Sequence, residues 1–186
     1  MFSIVFQVVV AWFYSHVFEW FVHKYLLHNR RTGPAFKHHF KYHHLAARRN
    51  AMLDKKYRKP RWYHWLIDDE IVGLTLLALI HLPVAWFFPW SYGILIVSAI
   101  HYFVVHRLAH RDYHWARKNL PHHYDHHMGS DQSLNWGVRS GWVDKLFNTR
   151  KVYIGTKREI LIYKRVCSAE KRGVRVRSHR IERKRY

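Results

Sequence analysis

The sequence predicts an all-α fold, an integral membrane helical bundle with a cytoplasmic, histidine-rich helical cap. Three observations predict it: long apolar runs, the absence of basic residues from those runs, and histidines grouped at helical spacings next to them. The chain of 186 residues is 49% hydrophobic and carries 32 Lys and Arg against 12 Asp and Glu. Apolar and basic residues must therefore be segregated along it.

The first apolar run covers residues 2–22, about the 20 residues that a bilayer crossing needs. No basic segment precedes it and no small-residue cleavage site follows, so we predict a retained membrane helix and not a signal peptide. His16 and Glu19 interrupt the run near its end, where polar groups need a partner.

The second apolar run covers residues 71–88, and we expect Pro83 to kink it and Pro89 to end it. Residues 90–93 predict a turn rimmed by interfacial aromatic side chains. Residues 94–105 then predict a third, shorter helix. Whether the last two helices cross the bilayer as a hairpin or enter and return is left open.

Basic residues are absent before Lys24 and between Arg61 and Arg107. Positively charged loops stay cytoplasmic, so both histidine-rich windows should face the cytoplasm. The net charge of +20 also fits nucleic-acid binding, but that class explains only the basic carboxyl end, so we expect no nucleic-acid partner. We divide the chain into a membrane-embedded domain, 1–150, and a basic tail, 151–186. The tail predicts a short strand or an amphipathic segment, which either attracts anionic headgroups or is a solvated, disordered end.

Fourteen of the eighteen histidines lie within residues 23–44 and 101–127. Neutral imidazole is the commonest protein ligand of transition metals. Ten histidines in four boxes are too many for one metal and suit two, with about five ligands each. The candidate metal ligands are His23, His28, His39, His43, His44, His106, His110, His123, His126 and His127.

Spacing predicts how these rings group. Histidines four apart share a helical face, which favours His39 with His43 and His106 with His110. The three histidines of the fourth box, His123, His126 and His127, can converge for the same reason. A gap of five, as between His23 and His28, sweeps about 140°. Either the helix distorts there or the two rings reach different metals, and the same choice applies to His39 and His44.

Few acids lie near the boxes, and we interpret Glu19, Asp112 and Asp125 as groups that orient imidazoles or as plain surface and helix-cap carboxylates. Cys167 is the only cysteine, which excludes an intramolecular disulfide and a thiolate-rich zinc site. Four further histidines are left open as ligands: His38, His101, His114 and His122. Four aromatic residues either line a lipid path or face lipid: Trp12, Phe13, Trp86 and Phe103.

In these boxes the chain resembles the fatty acid hydroxylase superfamily, which includes sterol desaturases, lipid hydroxylases and carotene hydroxylases. The resemblance is carried by EWFVHKYLLH, HHFKYHH, YFVVHRLAHR and PHHYDHH in order, and by the closing segment NWGVRSGWVDKLFNT. It covers roughly residues 11–150. In the closing segment the acidic residue, Asp144, is offset from its position in the family pattern, because Val143 separates it from Trp142. The chain is also compact, with about three apolar runs where larger members of the superfamily have more.

The resemblance implies a membrane enzyme with two iron ions, with zinc possible after purification, and with O2 as co-substrate. Such an enzyme hydroxylates or desaturates a lipid such as a fatty acyl chain or a sterol. An alternative within the superfamily is a carotenoid ring hydroxylase. Electrons would come from an external donor of the cytochrome b5 or ferredoxin type. The expected location is the endoplasmic reticulum or a bacterial inner membrane. A non-oxidative zinc-binding membrane protein is the second alternative.

Overall fold

The computed structural model describes residues 3–58 and 68–173, and within these ranges the chain is helical, without strands. The predicted all-α class is therefore confirmed. The α-helices are α1 (Ile4–Val22), α2 (Pro34–Phe36), α3 (Leu45–Arg49), α4 (Asp69–Ile80), α5 (Leu82–Phe87), α6 (Pro89–Arg111), α7 (Tyr113–Asn119), α8 (Pro121–Met128), α9 (Trp142–Leu146) and α10 (Lys157–Lys171). Two π-helical segments, His23–Leu27 and Lys37–His44, and two 3-10 turns, Arg30–Thr32 and Lys55–Arg58, join them.

Within residues 3–58 and 68–173, two helical segments are long and apolar enough to cross a membrane: Ile4–Leu27, which is α1 with its π-helical end, and α6. They pack side by side and run in the same direction. Ser91 donates to the Gln7 carbonyl at 3.2 Å, and further along both helices Ser98 donates to Ser15 at 3.2 Å. Their carboxyl-terminal ends, which carry histidine boxes, consequently lie together.

The second apolar run is broken where Pro83 predicts a kink, because α4 ends at Ile80 and α5 begins at Leu82. The turn predicted at residues 90–93 is wrong, since they form the first turn of α6. The chain reverses instead at Phe88, where φ is −139° and ψ is 68°. Pro89 begins a helix because its fixed φ and missing N–H suit the first helical position. The third helix is therefore longer than its apolar run, with 23 residues.

The described part of the basic tail forms the amphipathic helix α10, so its strand alternative is wrong. Thr156 caps it by accepting a hydrogen bond from the Glu159 N–H at 3.3 Å. Ile162 and Val166 are buried in a core that also contains Tyr113. Burying an apolar stripe gives a helix more stability than propensity alone, which is why this segment is ordered against α7. Residues 174–186 of the predicted tail lie outside the described residues.

Candidate metal centre

Nine of the ten candidate histidines converge in two neighbouring groups at the common end of α1 and α6. Within each group, one ring nitrogen of every member lies within 4.8 Å of those of the others. The tenth, His123, borders the second group. The first group consists of His23, His28, His39, His44 and His126. The second group consists of His43, His106, His110 and His127.

The two π-helical segments explain why histidines five apart can share a group. A π-helix closes each turn with a hydrogen bond between residues five apart. The His28 N–H accordingly donates to the His23 carbonyl at 3.2 Å. The same geometry in Lys37–His44 brings His39 and His44 together, with 3.2 Å between their Nε2 atoms. Of the two alternatives left by the sequence, the distorted helix is the one adopted.

This geometry corrects two groupings made from spacing. His39 joins His44 in the first group, and His43 turns to the second, because a π-helix shifts the shared face from residues four apart to residues five apart. The fourth box divides as well, since α8 sends His126 to the first group and His127 to the second. The pairing of His106 with His110 agrees with the prediction.

Nitrogen separations in the first group match those of ligands around one ion. The Nε2 atom of His23 lies 2.9 Å from that of His39, and His28 and His44 are separated by 3.1 Å. His126 lies 3.2 Å from both His28 and His44. Two nitrogens bound at right angles to a metal at about 2.1 Å lie about 3.0 Å apart. Five imidazoles at these separations could hold one metal ion.

The second group presents nitrogen lone pairs that need a cation. The Nδ1 atom of His43 donates to Asp54 at 3.0 Å, and that of His106 donates to Glu70 at 2.7 Å. Since a carboxylate only accepts, Nδ1 carries the proton and Nε2 is left as a lone pair. Both Nε2 atoms are buried and have no hydrogen-bond partner among the described residues. A metal ion bound here would supply the partner that these atoms lack.

His110 and His123 extend this pattern. The Nδ1 atom of His110 donates to the Met52 carbonyl at 2.8 Å, and its Nε2 atom lies 3.1 Å from that of His123. Among the described residues, both nitrogens of the fully buried His127 lack a hydrogen-bond partner. Unpaired buried polar atoms are costly, so their concentration here fits a metal and not a hydrogen-bonded core.

Backbone turns hold several of these rings. Ala51 and Met52 both adopt a positive φ, 50° and 72°, although neither is glycine. Strained backbone of this kind clusters at functional sites. Here it aims the Met52 carbonyl at His110 and brings Asp54 to His43.

Of the two roles left open for Asp112 and Asp125, neither residue orients an imidazole, and for Asp112 the helix-cap alternative is confirmed. Asp112 caps α7 by accepting from the Trp115 N–H at 2.9 Å, and Asp125 accepts from the N–H groups of Tyr153 and Ile154. The orienting acids are Asp54 and Glu70, which sequence reasoning missed. The sequence around these two acids gives only a weak signal of this role. Glu70 belongs to an acidic run in a basic chain, but such runs usually cap helices.

Glu19 and Asp144 act on the histidines indirectly, because both hold the loop after α8 by hydrogen bonds. Glu19 accepts hydrogen bonds from the Val138 N–H at 2.5 Å and from Arg139. The buried Asp144 accepts from the N–H groups of Trp136 and Gly137, each at 2.8 Å. The fixed loop presents the Trp136 carbonyl to His23 Nδ1 at 2.5 Å. The closing segment thus holds the candidate ligand His23 in place through its backbone.

The histidines left open as ligands lie outside both groups. His38 pairs with Asp69, and His114 pairs with Glu170, in exposed positions. His122 donates to the Val138 carbonyl at 2.8 Å, and His101 is exposed on α6.

A cavity of 460 Å³ opens beside the centre, between α1, α4 and α6. Its wall includes His23 and His39 from the first group and His43 and His106 from the second. The rest is largely apolar, with side chains such as Leu77. The four aromatic residues proposed for a lipid path do not line it. Trp86, for example, is 88% exposed, so facing lipid is the role that its position supports.

The two groups can hold metal ions in a dry, neutral setting. Desolvation by burial lowers the pKa of His44, His126 and His127 well below its ordinary value, and lowers that of His28 to about 2. These rings are therefore neutral, which is the form that binds a metal. In this site the candidate ligands are all histidine nitrogens, and they lie beside an apolar cavity.

The chain matches no protein-family model, no curated protein and no solved structure.

Proposed function

We propose that this chain is a membrane-embedded di-metal oxygenase, which uses two iron ions and O2 to hydroxylate, or desaturate, a lipid. The observation that carries the proposal is the contact between an apolar cavity and histidines of both groups. A hydrocarbon chain in the cavity would lie directly beside both metal positions. The resemblance in the four boxes supports the same reaction.

Each ion would have five imidazoles, with His123 completing the second group beside His110. No acid belongs to either group. Carboxylates at Asp54 and Glu70 instead accept hydrogen bonds from the Nδ1–H groups of the ligands, which strengthens the imidazoles as donors to a metal. Two irons held in this way would supply oxygen activation and electron transfer.

The protein's own part is to bind, orient and exclude water. The apolar wall binds the hydrocarbon, and burial of the second group keeps bulk water from it. Hydroxylation consumes O2, two electrons and two protons, inserts one oxygen atom into a C–H bond and releases the other as water. The electrons come from an external donor of the cytochrome b5 or ferredoxin type.

The same arrangement supports a membrane setting. Large apolar side chains are exposed along the two candidate spans and along α4 and α5, for example Val5 at 72% and Ile80 at 71%. Lipid would cover them, as a large exposed apolar surface requires. With the basic segments on the cytoplasmic side, the metal centre would lie just beneath that face of the bilayer.

The decisive experiment combines metal analysis with product analysis. We expect protein purified without oxygen to hold about two irons per chain. Cells of defined lipid content that express it should accumulate a lipid heavier by one oxygen or lighter by two hydrogens. The matched control is the His28→Ala/His106→Ala double variant, which should neither hold the two irons nor form an oxidised lipid. Two zinc ions per chain with no O2-dependent product would contradict the proposal and support the non-oxidative alternative.

A further inference from the structure

A hydrogen-bonded polar pair lies in the wall of the cavity, away from the metal centre. Tyr14 Oη on α1 lies 2.8 Å from His81 Nε2 after α4, and both residues line the cavity. Tyr14 precedes His23 by nine residues. At 1.5 Å per residue, it therefore lies about 13 Å from His23 along the helix. In a membrane the pair would sit well inside the hydrocarbon, where polar side chains are costly and commonly mark a binding site.

The direction of the hydrogen bonds defines what this pair can recognise. His81 Nδ1 lies 2.8 Å from the Leu77 carbonyl, and since a carbonyl only accepts, Nδ1 carries a proton. In the neutral ring Nε2 is then an acceptor, so Tyr14 donates its hydroxyl proton to it. The phenol oxygen keeps its lone pairs. Towards the cavity it consequently acts as an acceptor and favours a ligand that donates.

Several other polar groups in the wall are already engaged with each other or with the backbone. At the end near the metals, Asp69 accepts from His38 at 3.0 Å and from Lys56 at 3.2 Å. Ser15 donates to the Trp12 carbonyl at 2.8 Å and also accepts from Ser98. Tyr14 is distinguished by its position, because at this depth in a bilayer no bulk water would compete with a ligand for its oxygen.

We propose that Tyr14 binds the hydroxyl group of a long-chain lipid alcohol, whose oxidised carbon lies about 13 Å away at the metals. This rests on the proposed function and names its substrate class. Hydrocarbons without a hydroxyl lack the donor. The pair would set how deep the substrate enters and hence which carbon reaches the metals.

The test measures binding, not turnover. Metal-loaded full-length protein in lipid nanodiscs is titrated with radiolabelled 1-hexadecanol and hexadecane, each corrected for partition into protein-free nanodiscs. We expect the wild type to prefer the alcohol by about tenfold, the effect of one hydrogen bond in an apolar site. Tyr14→Phe keeps the ring and removes the oxygen, so it should abolish the preference and leave hexadecane binding unchanged.

Tyr92→Phe is the matched control. Tyr92 also lines the cavity, but its neighbour Ser91 meets Gln7, seven residues before Tyr14 on α1. Tyr92 therefore lies about 10 Å farther from the metals than Tyr14, so this variant should keep the preference. The proposal is overturned if the wild type binds both lipids equally, if Tyr14→Phe keeps the preference, or if Tyr92→Phe also loses it. A Tyr14-dependent preference without any oxidised product would leave the alcohol site standing and refute only the oxygenase.

Discussion

Glu70 on α4 accepts a hydrogen bond from His106 Nδ1 on α6 at 2.7 Å, and it also accepts from Arg107 at 3.0 Å. One carboxylate thus connects α4, which lines the cavity, to His106, a candidate metal ligand of the second group. It fixes the proton on Nδ1 and directs the Nε2 lone pair inward. Metal position and cavity wall are linked through this single side chain.

Glu70→Ala should lower metal affinity at the second group by about 10- to 100-fold, the usual effect of losing a carboxylate that orients a histidine ligand. Competition with a graded series of chelators measures this. The control is Asp112→Asn, which keeps a helix-capping oxygen on α7 and should leave affinity unchanged. An equal loss in both variants would contradict the assignment of Glu70.

Single ligand variants should separate the two metals. His28→Ala removes one ring of the first group and His106→Ala one ring of the second, so each protein should retain about one iron per chain and lose turnover. Metal analysis after anaerobic purification measures this. His101→Ala, which removes an exposed ring on α6 that belongs to neither group, should keep two. Two irons and full turnover in either ligand variant would count against the site.

Gly137→Ala should weaken the first metal position without touching a ligand. A Cβ at Gly137 would lie 2.1 Å from the Ser140 carbonyl oxygen, so the loop must shift and carry the Trp136 carbonyl away from His23. We expect lower iron occupancy and a lower melting temperature. Gly93→Ala is the control, since its Cβ would meet nothing within 4 Å. Full iron occupancy in Gly137→Ala would show that this loop does not position His23.

Leu77→Trp should block the cavity and lower turnover at least about tenfold, while both irons stay bound, because an added indole fills space that the lipid needs. Product formation and iron content, measured on the same preparation, test this. Leu79 lies on the same helix but is 57% exposed and outside the cavity wall, so the Leu79→Trp variant should remain active. Equal turnover in the two variants would place the substrate elsewhere.

Several features could be predicted from residue patterns because they depend on local periodicity. Apolar runs with no basic residue predict helices of spanning length, and two such segments are present. Histidines four apart on a regular helix must share a face, so the pairing of His106 with His110 follows from α-helical geometry alone.

The remaining features depend on tertiary contacts. Asp54, Glu70 and the Trp136 carbonyl meet their histidines across 11, 36 and 113 residues of chain, separations that carry no periodic signal. The predicted role of Asp125 was wrong for the same reason, since its partners Tyr153 and Ile154 come from a distant turn.

By itself, the sequence determined the helical class, the apolar runs and the ten histidines, because each is written in composition and spacing. Only the tertiary structure decided which ring joins which group, since a π-helix and a regular helix place the same residues on different faces. It also decided which oxygens fix the imidazole protons and where the cavity meets the rings. These depend on how α1, α4, α6 and the loop after α8 pack, and no local pattern specifies that packing.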